Sequence, residues 1–247
     1  MIRFIDIHKS FGARPVLDGV SLTVDTGEVL YIIGSSGAGK SVLVKHLVGL
    51  LRPDSGRIEL GSKDITWLSE KEFYPVRMEC AMVFQNSTLF DAMSVVDNVA
   101  LPIRKHKNAS PKEARRLALE KLDLVGMRYA ETFAPGDLGD GLKKRVAIAR
   151  ALTLDPTYVI FDEPTTGLDP LAAAQVDDLI RSLKRDAGVT SIVVSHDLRS
   201  IFSVADRIAM IYQGKIRIDG TPQALRDSPD PVVRQFIEGR PEGPMET

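Results

Sequence analysis

The chain predicts an α/β fold with a run of helices inserted into it, on three observations. Short continuous apolar runs, Glu28-Val-Leu-Tyr-Ile-Ile33, Thr157-Tyr-Val-Ile-Phe161 and Ser191-Ile-Val-Val-Ser195, read as strands buried on both faces, as in a parallel sheet. The first of them feeds directly into Gly34-Ser-Ser-Gly-Ala-Gly-Lys40-Ser41, a glycine-rich loop that opens a helix. Between residues 86 and 155 the strand signals vanish and helical spacing takes over.

At 247 residues the chain is one large domain or two small ones, and 44% hydrophobic content is ordinary for a globular core. A net charge of −1 gives no overall pull toward nucleic acid or anionic lipid. No apolar run approaches the roughly eighteen residues of a membrane span, and Met1-Ile-Arg-Phe-Ile-Asp6 lacks the apolar stretch of a signal peptide. The single cysteine, Cys80, excludes an internal disulfide and reads as a small core residue. The expectation is a soluble cytoplasmic protein whose membrane role comes through a partner.

Residues 2–8 and 16–24 read as strands, with Val20, Leu22 and Val24 alternating with polar neighbours. The turn Lys9–Arg14 between them carries Phe11, an aromatic that either packs locally or stacks on an adenine ring. The loop residues Gly34, Ser35, Ser36, Gly37, Ala38, Gly39, Lys40, Ser41 and Val42 have the chemistry of a triphosphate cradle. Only a glycine-rich turn curls tightly enough to aim several backbone N–H groups at one point. The helix start adds its dipole, Lys40 a point charge, and Ser41 a hydroxyl for Mg²⁺. The helix that follows is expected to run to Leu51, ended by Pro53.

Gly56–Leu60 and Cys80–Phe84 are further strand candidates, and Gln85 directly follows the second. A polar residue just past a strand end is well placed for a ligand, though a surface glutamine is the plain alternative. Ser110-Pro-Lys-Glu113 is a capping box, followed by Ala114, Leu117, Ala118, Leu122 and Val125 at helical spacing and stopped by Gly126. Another helix spans about 141–154. The strand 157–161 then delivers Asp162-Glu163: the first acid suits Mg²⁺, the second a general base that polarises water. A helix over 171–187 is closed by Gly188. His196 stands at the end of the strand 191–195; a lone histidine is more often structural, but a third polar group at a strand end favours a γ-phosphate or water contact. Arg207–Tyr212 and Lys215–Ile218 pair as a hairpin about Gln213-Gly214. Residues 228–247, interrupted by prolines, read as a mostly extended tail.

Together these residues resemble the ATP-binding cassette family of transport ATPases, over nearly the whole chain and with the motifs in the family's order. The resemblance implies a P-loop NTPase core (1–85 and 156–227) with an antiparallel β subdomain, an inserted helical subdomain (about 86–155) and a C-terminal extension (228–247). It implies ATP and Mg²⁺ as cofactors. Phe11 matches the adenine-stacking loop. Gln85 matches the glutamine that touches Mg²⁺ and the transmembrane partner. Leu138-Gly139-Asp140-Gly141-Leu142 occupies the signature position, Tyr158–Glu163 is similar to Walker B with Glu163 catalytic, Asp169 matches the D-loop and His196 the switch histidine. Ser41, Gln85 and Asp162 would attend the metal. These groups are expected to gather about one magnesium-bound nucleotide.

A narrower resemblance rests on Leu89–Pro102, Lys143–Arg150 and Gln235–Pro244, which look like the ATPases serving MCE-protein lipid transporters of the maintenance-of-lipid-asymmetry type. It implies phospholipid transport in a Gram-negative-type envelope, a permease, an MCE-type periplasmic lipid-binding protein and a second cassette as partners, and no nucleic acid. It also implies a peripheral position on the cytoplasmic face of the inner membrane and a C-terminal extension that reaches the partner cassette. The alternatives are the ATPase of another importer, or a cassette with weakened hydrolysis. The last arises because the family signature reads Leu-Ser-Gly-Gly-Gln. Here Gly139 lacks the serine hydroxyl and Asp140 brings a carboxylate toward where the resemblance places a phosphate. Two charges about 4 Å apart interact by roughly 4 kcal/mol at an effective dielectric near 20. The favoured reading is that Asp140 N-caps the following helix and turns away from phosphate.

Overall fold

The computed structural model describes residues 1–245. Its strands, in chain order, are β1 (Ile2–Phe11), β2 (Arg14–Val24), β3 (Val29–Ile33), β4 (Ser55–Leu60), β5 (Lys63–Asp64), β6 (Cys80–Val83), β7 (Tyr158–Asp162), β8 (Thr190–Val194), β9 (Arg207–Tyr212) and β10 (Lys215–Gly220). Its helices are α1 (Lys40–Leu47), α2 (Glu70–Glu79), α3 (Val95–His106), α4 (Pro111–Leu124), α5 (Asp140–Ala151), α6 (Pro170–Ala187), α7 (Leu198–Val204), α8 (Pro222–Arg226) and α9 (Pro231–Glu238). The chain divides into two units: Met1–Tyr74 with the segment from Thr190 onward, and Pro75–Val189.

The first unit holds an antiparallel sheet in the order β2-β1-β4-β5. Its apolar face is written in the alternation of the sequence: Ile2, Phe4 and Ile7 lie opposite Val24, Leu22 and Val20, and all six are buried. The register shifts between Phe4 and Ile7, where Asp6 adopts a φ of 51°. The same unit holds β3 between two parallel neighbours, β8 and β9, with β10 antiparallel to β9. Every residue of β3 and β8 is buried, which is why both read as unbroken apolar runs. Buried Tyr31 keeps its hydroxyl satisfied through Ser200, 2.8 Å away. Gln213 and Gly214, both with positive φ, make the tight hairpin turn between β9 and β10.

Two sequence expectations need correction in this unit. Helix α1 stops at Leu47, short of Leu51, because Gly49 takes a left-handed φ of 68° and the chain leaves the helix there. The 228–247 tail is not mostly extended. Asp230 N-caps α9 by accepting from Val232 N at 2.8 Å, Pro231 supplies its first turn, and Gly239 ends it in the left-handed region. The following residues return to their own chain: Tyr212 donates its hydroxyl to the Pro244 carbonyl at 2.9 Å, and the Gln235 Oε1 accepts from Met245 N at 2.7 Å. The last two residues of the predicted extension, Glu246 and Thr247, lie outside the described residues.

The second unit pairs β6 parallel to β7, from Cys80 opposite Tyr158 to Val83 opposite Phe161. Its helices α3, α4 and α5 pack on one another, and Val99, Ile103, Ala114, Ala118, Leu122, Val146 and Ile148 on them are buried. Ser110 caps α4 as its sequence predicts, accepting from Glu113 N at 3.2 Å, while the Glu113 carboxylate accepts from Arg116. Cys80 is buried, in line with a core role. Among the described residues no helix is long and apolar enough to cross a membrane.

Candidate nucleotide-binding site

In the first unit, β3 delivers the glycine-rich loop and α1 leaves it at Lys40. Gly39 cannot be replaced here: its φ is 101°, and a Cβ would lie 2.7 Å from Leu17 Cδ2 and 2.9 Å from the Val16 carbonyl. Lys40 is buried, and its ammonium donates to the carbonyls of Gly34 and Ser35, each at 2.9 Å. The loop thus wraps its own cation and holds the charge over the helix start. A cavity of about 310 Å³ opens beside it, lined by Gly37–Val42 together with Phe11, Arg14 and Val16. Phe11 is 49% exposed, with the Lys9 ammonium 5.6 Å from its ring centroid. The structure therefore brings Phe11 to the predicted phosphate loop. It adds Arg14, which the sequence reading passed over as a turn residue. His196 follows β8 and is exposed; its neighbour Asp197 N-caps α7, accepting from Arg199 N at 3.0 Å.

In the second unit, β7 is buried throughout and ends on Asp162, itself nearly inaccessible. Glu163 then takes a φ of 52°, a left-handed conformation unfavourable to a side chain of its type. Its Oε2 accepts from the Thr166 hydroxyl at 2.9 Å. Thr166, missed from sequence, would have been findable only as a hydroxyl three residues past a carboxylate. Asp169 is the N-cap of α6, its Oδ1 accepting from Leu171 N at 2.9 Å and Ala172 N at 3.0 Å. Among the described residues, no three His, Cys, Asp or Glu side chains cluster as a metal site.

The signature segment overturns one expectation. Asp140 does not cap α5. The N-cap is Gly139, with a φ of −68° and ψ of 161°, and Asp140 is the first helical residue. Its side chain is 81% exposed, with the Lys143 ammonium 3.7 Å away. The helix begins one residue earlier than the capping reading required, and the carboxylate stands exposed toward Lys143 in place of an N-cap. Leu138 is buried and anchors the segment. Gly141 has a packing reason: a Cβ there would sit 2.8 Å from the Ala172 Cβ of α6.

Asp140 lines a cavity of about 470 Å³ with Gln85, Lys143, Lys144, Thr166 and Gly167. Gln85 is exposed, but its backbone is not free: buried Lys144 donates to the Gln85 carbonyl at 2.6 Å and the Phe84 carbonyl at 3.0 Å. Burial draws the Lys144 ammonium down to about 8, against the opposing pull of the Asp162 and Asp140 carboxylates. Arg150 donates to the carbonyls of Ser87 at 3.2 Å and Thr88 at 2.9 Å. Fully buried Asn98 accepts from Phe90 N and donates to the carbonyls of Phe90, Met93 and Ser94.

A strand-to-helix phosphate loop in one unit, and a buried strand ending in paired acids in the other, define a P-loop nucleotide-binding protein. The chain belongs to the ABC transporter family, which its residues 17–166 match. It is 41% identical over 234 residues to the intermembrane phospholipid transport system ATP-binding protein MlaF of Haemophilus influenzae, covering 95% of this chain and 89% of that protein. It is 40% identical over 239 residues to the "Probable ribonucleotide transport ATP-binding protein mkl" of Mycobacterium tuberculosis, covering 97% of this chain and 67% of that one. Among solved structures it is similar to the dimeric structure of MJ0796, a bacterial ABC transporter cassette. The TM-score is 0.83 at 29% identity, over 90% of this chain and 99% of that one. The same cassette in a post-hydrolysis dimer bound to ADP and Pi gives a TM-score of 0.82 at 30% identity, over 90% of this chain and 99% of that one.

Proposed function

We propose that this chain is the ATP-hydrolysing subunit of a phospholipid transporter of the cell envelope, working with an MCE-type system. ATP binding follows from the family and from the phosphate loop. The observation that carries the lipid reading is coverage: the chain spans 89% of the MlaF protein it resembles at 41% identity, but 67% of the mkl protein at 40%. The reading places two such cassettes together, on a permease, at the cytoplasmic face of the inner membrane, with an MCE-type lipid-binding protein beyond it. Residues 1–85 and 156–227 serve in it as the core, 86–155 as the helical subdomain, and 228–247 as the extension.

The residues take distinct tasks in this reading. Phe11 offers a face to adenine, and the N–H groups of Gly34–Val42 with Lys40 hold the phosphates. Ser41 and Asp162 are hard oxygen donors of the kind Mg²⁺ takes alongside phosphate oxygens, and Gln85 would attend the same ion; no dedicated cage of acids is needed for it. When bound, the ion would supply charge neutralisation on the phosphates. Glu163, aimed by Thr166, takes a proton from the attacking water, and His196 donates toward the γ-phosphate. Leu138–Leu142 and Asp169 serve the contact with the second cassette.

The test is phosphate release by the full-length chain, with Glu163→Gln as the control, followed by purification from membranes. Recovery with a multi-span permease and an MCE protein supports the lipid reading. Recovery with an unrelated importer overturns it while leaving the ATPase intact.

A further inference from the structure

The ladder between β6 and β7 ends at Val83 opposite Phe161, so the carbonyls beyond Val83 need other partners. Four of them find cations of a single helix. Lys144 takes those of Phe84 and Gln85, and Arg150 takes those of Ser87 and Thr88. Lys144 is only 2% exposed, one turn along α5 from Asp140. The carboxylates of Asp162 and Asp140 act on its charge and favour keeping it there. A buried ammonium bonded to two backbone carbonyls fixes the backbone that carries Gln85, while the Gln85 side chain stays exposed to the cavity that Asp140 and Lys144 also line.

We propose that Lys144 is the positioning residue for Gln85: it ties the segment 84–88 to α5, so that the glutamine is set by the helix that starts at the signature. Lys144 touches no reacting atom in this scheme and acts through the glutamine. The inference rests on the reading of Gln85 as a residue of the ATPase site. It gives a physical reason for a lysine at this point in α5. An ammonium can reach two carbonyls at once, where a neutral amide offers weaker donors and an apolar side chain leaves both carbonyls unpaired.

The test uses the full-length chain with Lys144→Met, Lys144→Arg, Gln85→Ala and the Lys144→Met/Gln85→Ala double variant. Lys144→Met is expected to lower kcat by about tenfold or more and to leave the KM for ATP within about twofold, since phosphate binding is untouched. Lys144→Arg recovers most of the loss. The double variant is no slower than Gln85→Ala alone, because the lysine works through the glutamine. Amide exchange over 84–90 rises in Lys144→Met while exchange in β3 and α1 does not. If Lys144→Met fails to fold, Lys144→Gln carries the same comparisons. A kcat within twofold of wild type, losses that multiply in the double variant, or unchanged exchange over 84–90 each overturn the proposal. Should Gln85→Ala itself turn over normally, the site reading of Gln85 fails, and the exchange arm still decides whether Lys144 holds the segment.

Discussion

The Thr166 hydroxyl donates to the Glu163 carboxylate at 2.9 Å, across a turn in which Glu163 is held at a left-handed φ of 52°. Backbone strain and a hydrogen bond from its own loop thus aim one side chain. The proposed general base is set in place by the sequence immediately after it. Replacing Thr166 with valine keeps the bulk and removes the donor. The expected result is a fall in kcat of about three- to tenfold with KM for ATP unchanged, whereas Glu163→Gln lowers kcat by about 10² or more. Steady-state phosphate release measures both.

Asp140 offers a second prediction. It is not engaged as a helix cap, and its pairing with Lys143 at 3.7 Å is exposed, so that ion pair is weak. Asp140→Gly is expected to raise ATP turnover by about threefold or more, through relief of charge repulsion. The gain should shrink as salt rises, because an exposed carboxylate is screened. Turnover unchanged at low salt would mean that the acid points away from phosphate in the working assembly.

His46 gives a pH dependence. It lies buried in α1, and burial lowers its pKa below the ordinary histidine value, against backbone groups of Leu43 and Val42 that favour the charged ring. The unfolded chain therefore binds this proton more readily than the native one. Stability from this residue is fully present above about pH 6.5 and declines by at most ~1.4 kcal/mol per pH unit as pH falls toward the folded value. His46→Leu should flatten that part of the profile. Thermal melts between pH 8 and 5 read it directly.

Asn98 sets a stability prediction. Its side chain is completely buried and bonds the backbone of Phe90, Met93 and Ser94. Asn98→Leu leaves those groups unpaired and should cost about 2–4 kcal/mol, seen as a lower midpoint in urea. Because Asn98 holds residues 90–94, the loop should also lose exchange protection before the rest of the unit does.

Much of this was legible in sequence wherever a local rule coincides with a packing rule. The β3 strand, the phosphate loop and α1 follow one another because an apolar run, a glycine turn and a helix start are each local signals. The acids at 162 and 163 stand out because β7 is apolar up to them. What stayed hidden depends on partners far along the chain or on a one-residue shift. Asp140 was misread as a cap because Gly139 starts the helix one place earlier. The α9 helix was missed because Pro231 was counted as an interruption, although at the first helical turn proline is favourable, with Asp230 before it and Gly239 after the helix. Lys144 and Arg150 entered only as part of the Lys143–Arg150 resemblance, because nothing local in the sequence points to the carbonyls 59 to 63 residues upstream that they hold.

Cys80 is the sole thiol of the chain; it is buried, and burial pushes its pKa well above that of an open cysteine. An alkylating reagent added to the intact protein will find nothing to attack until the β6 strand opens. The labelling rate then serves as a built-in clock for that opening, with no engineered probe, and each substitution above can be timed against it.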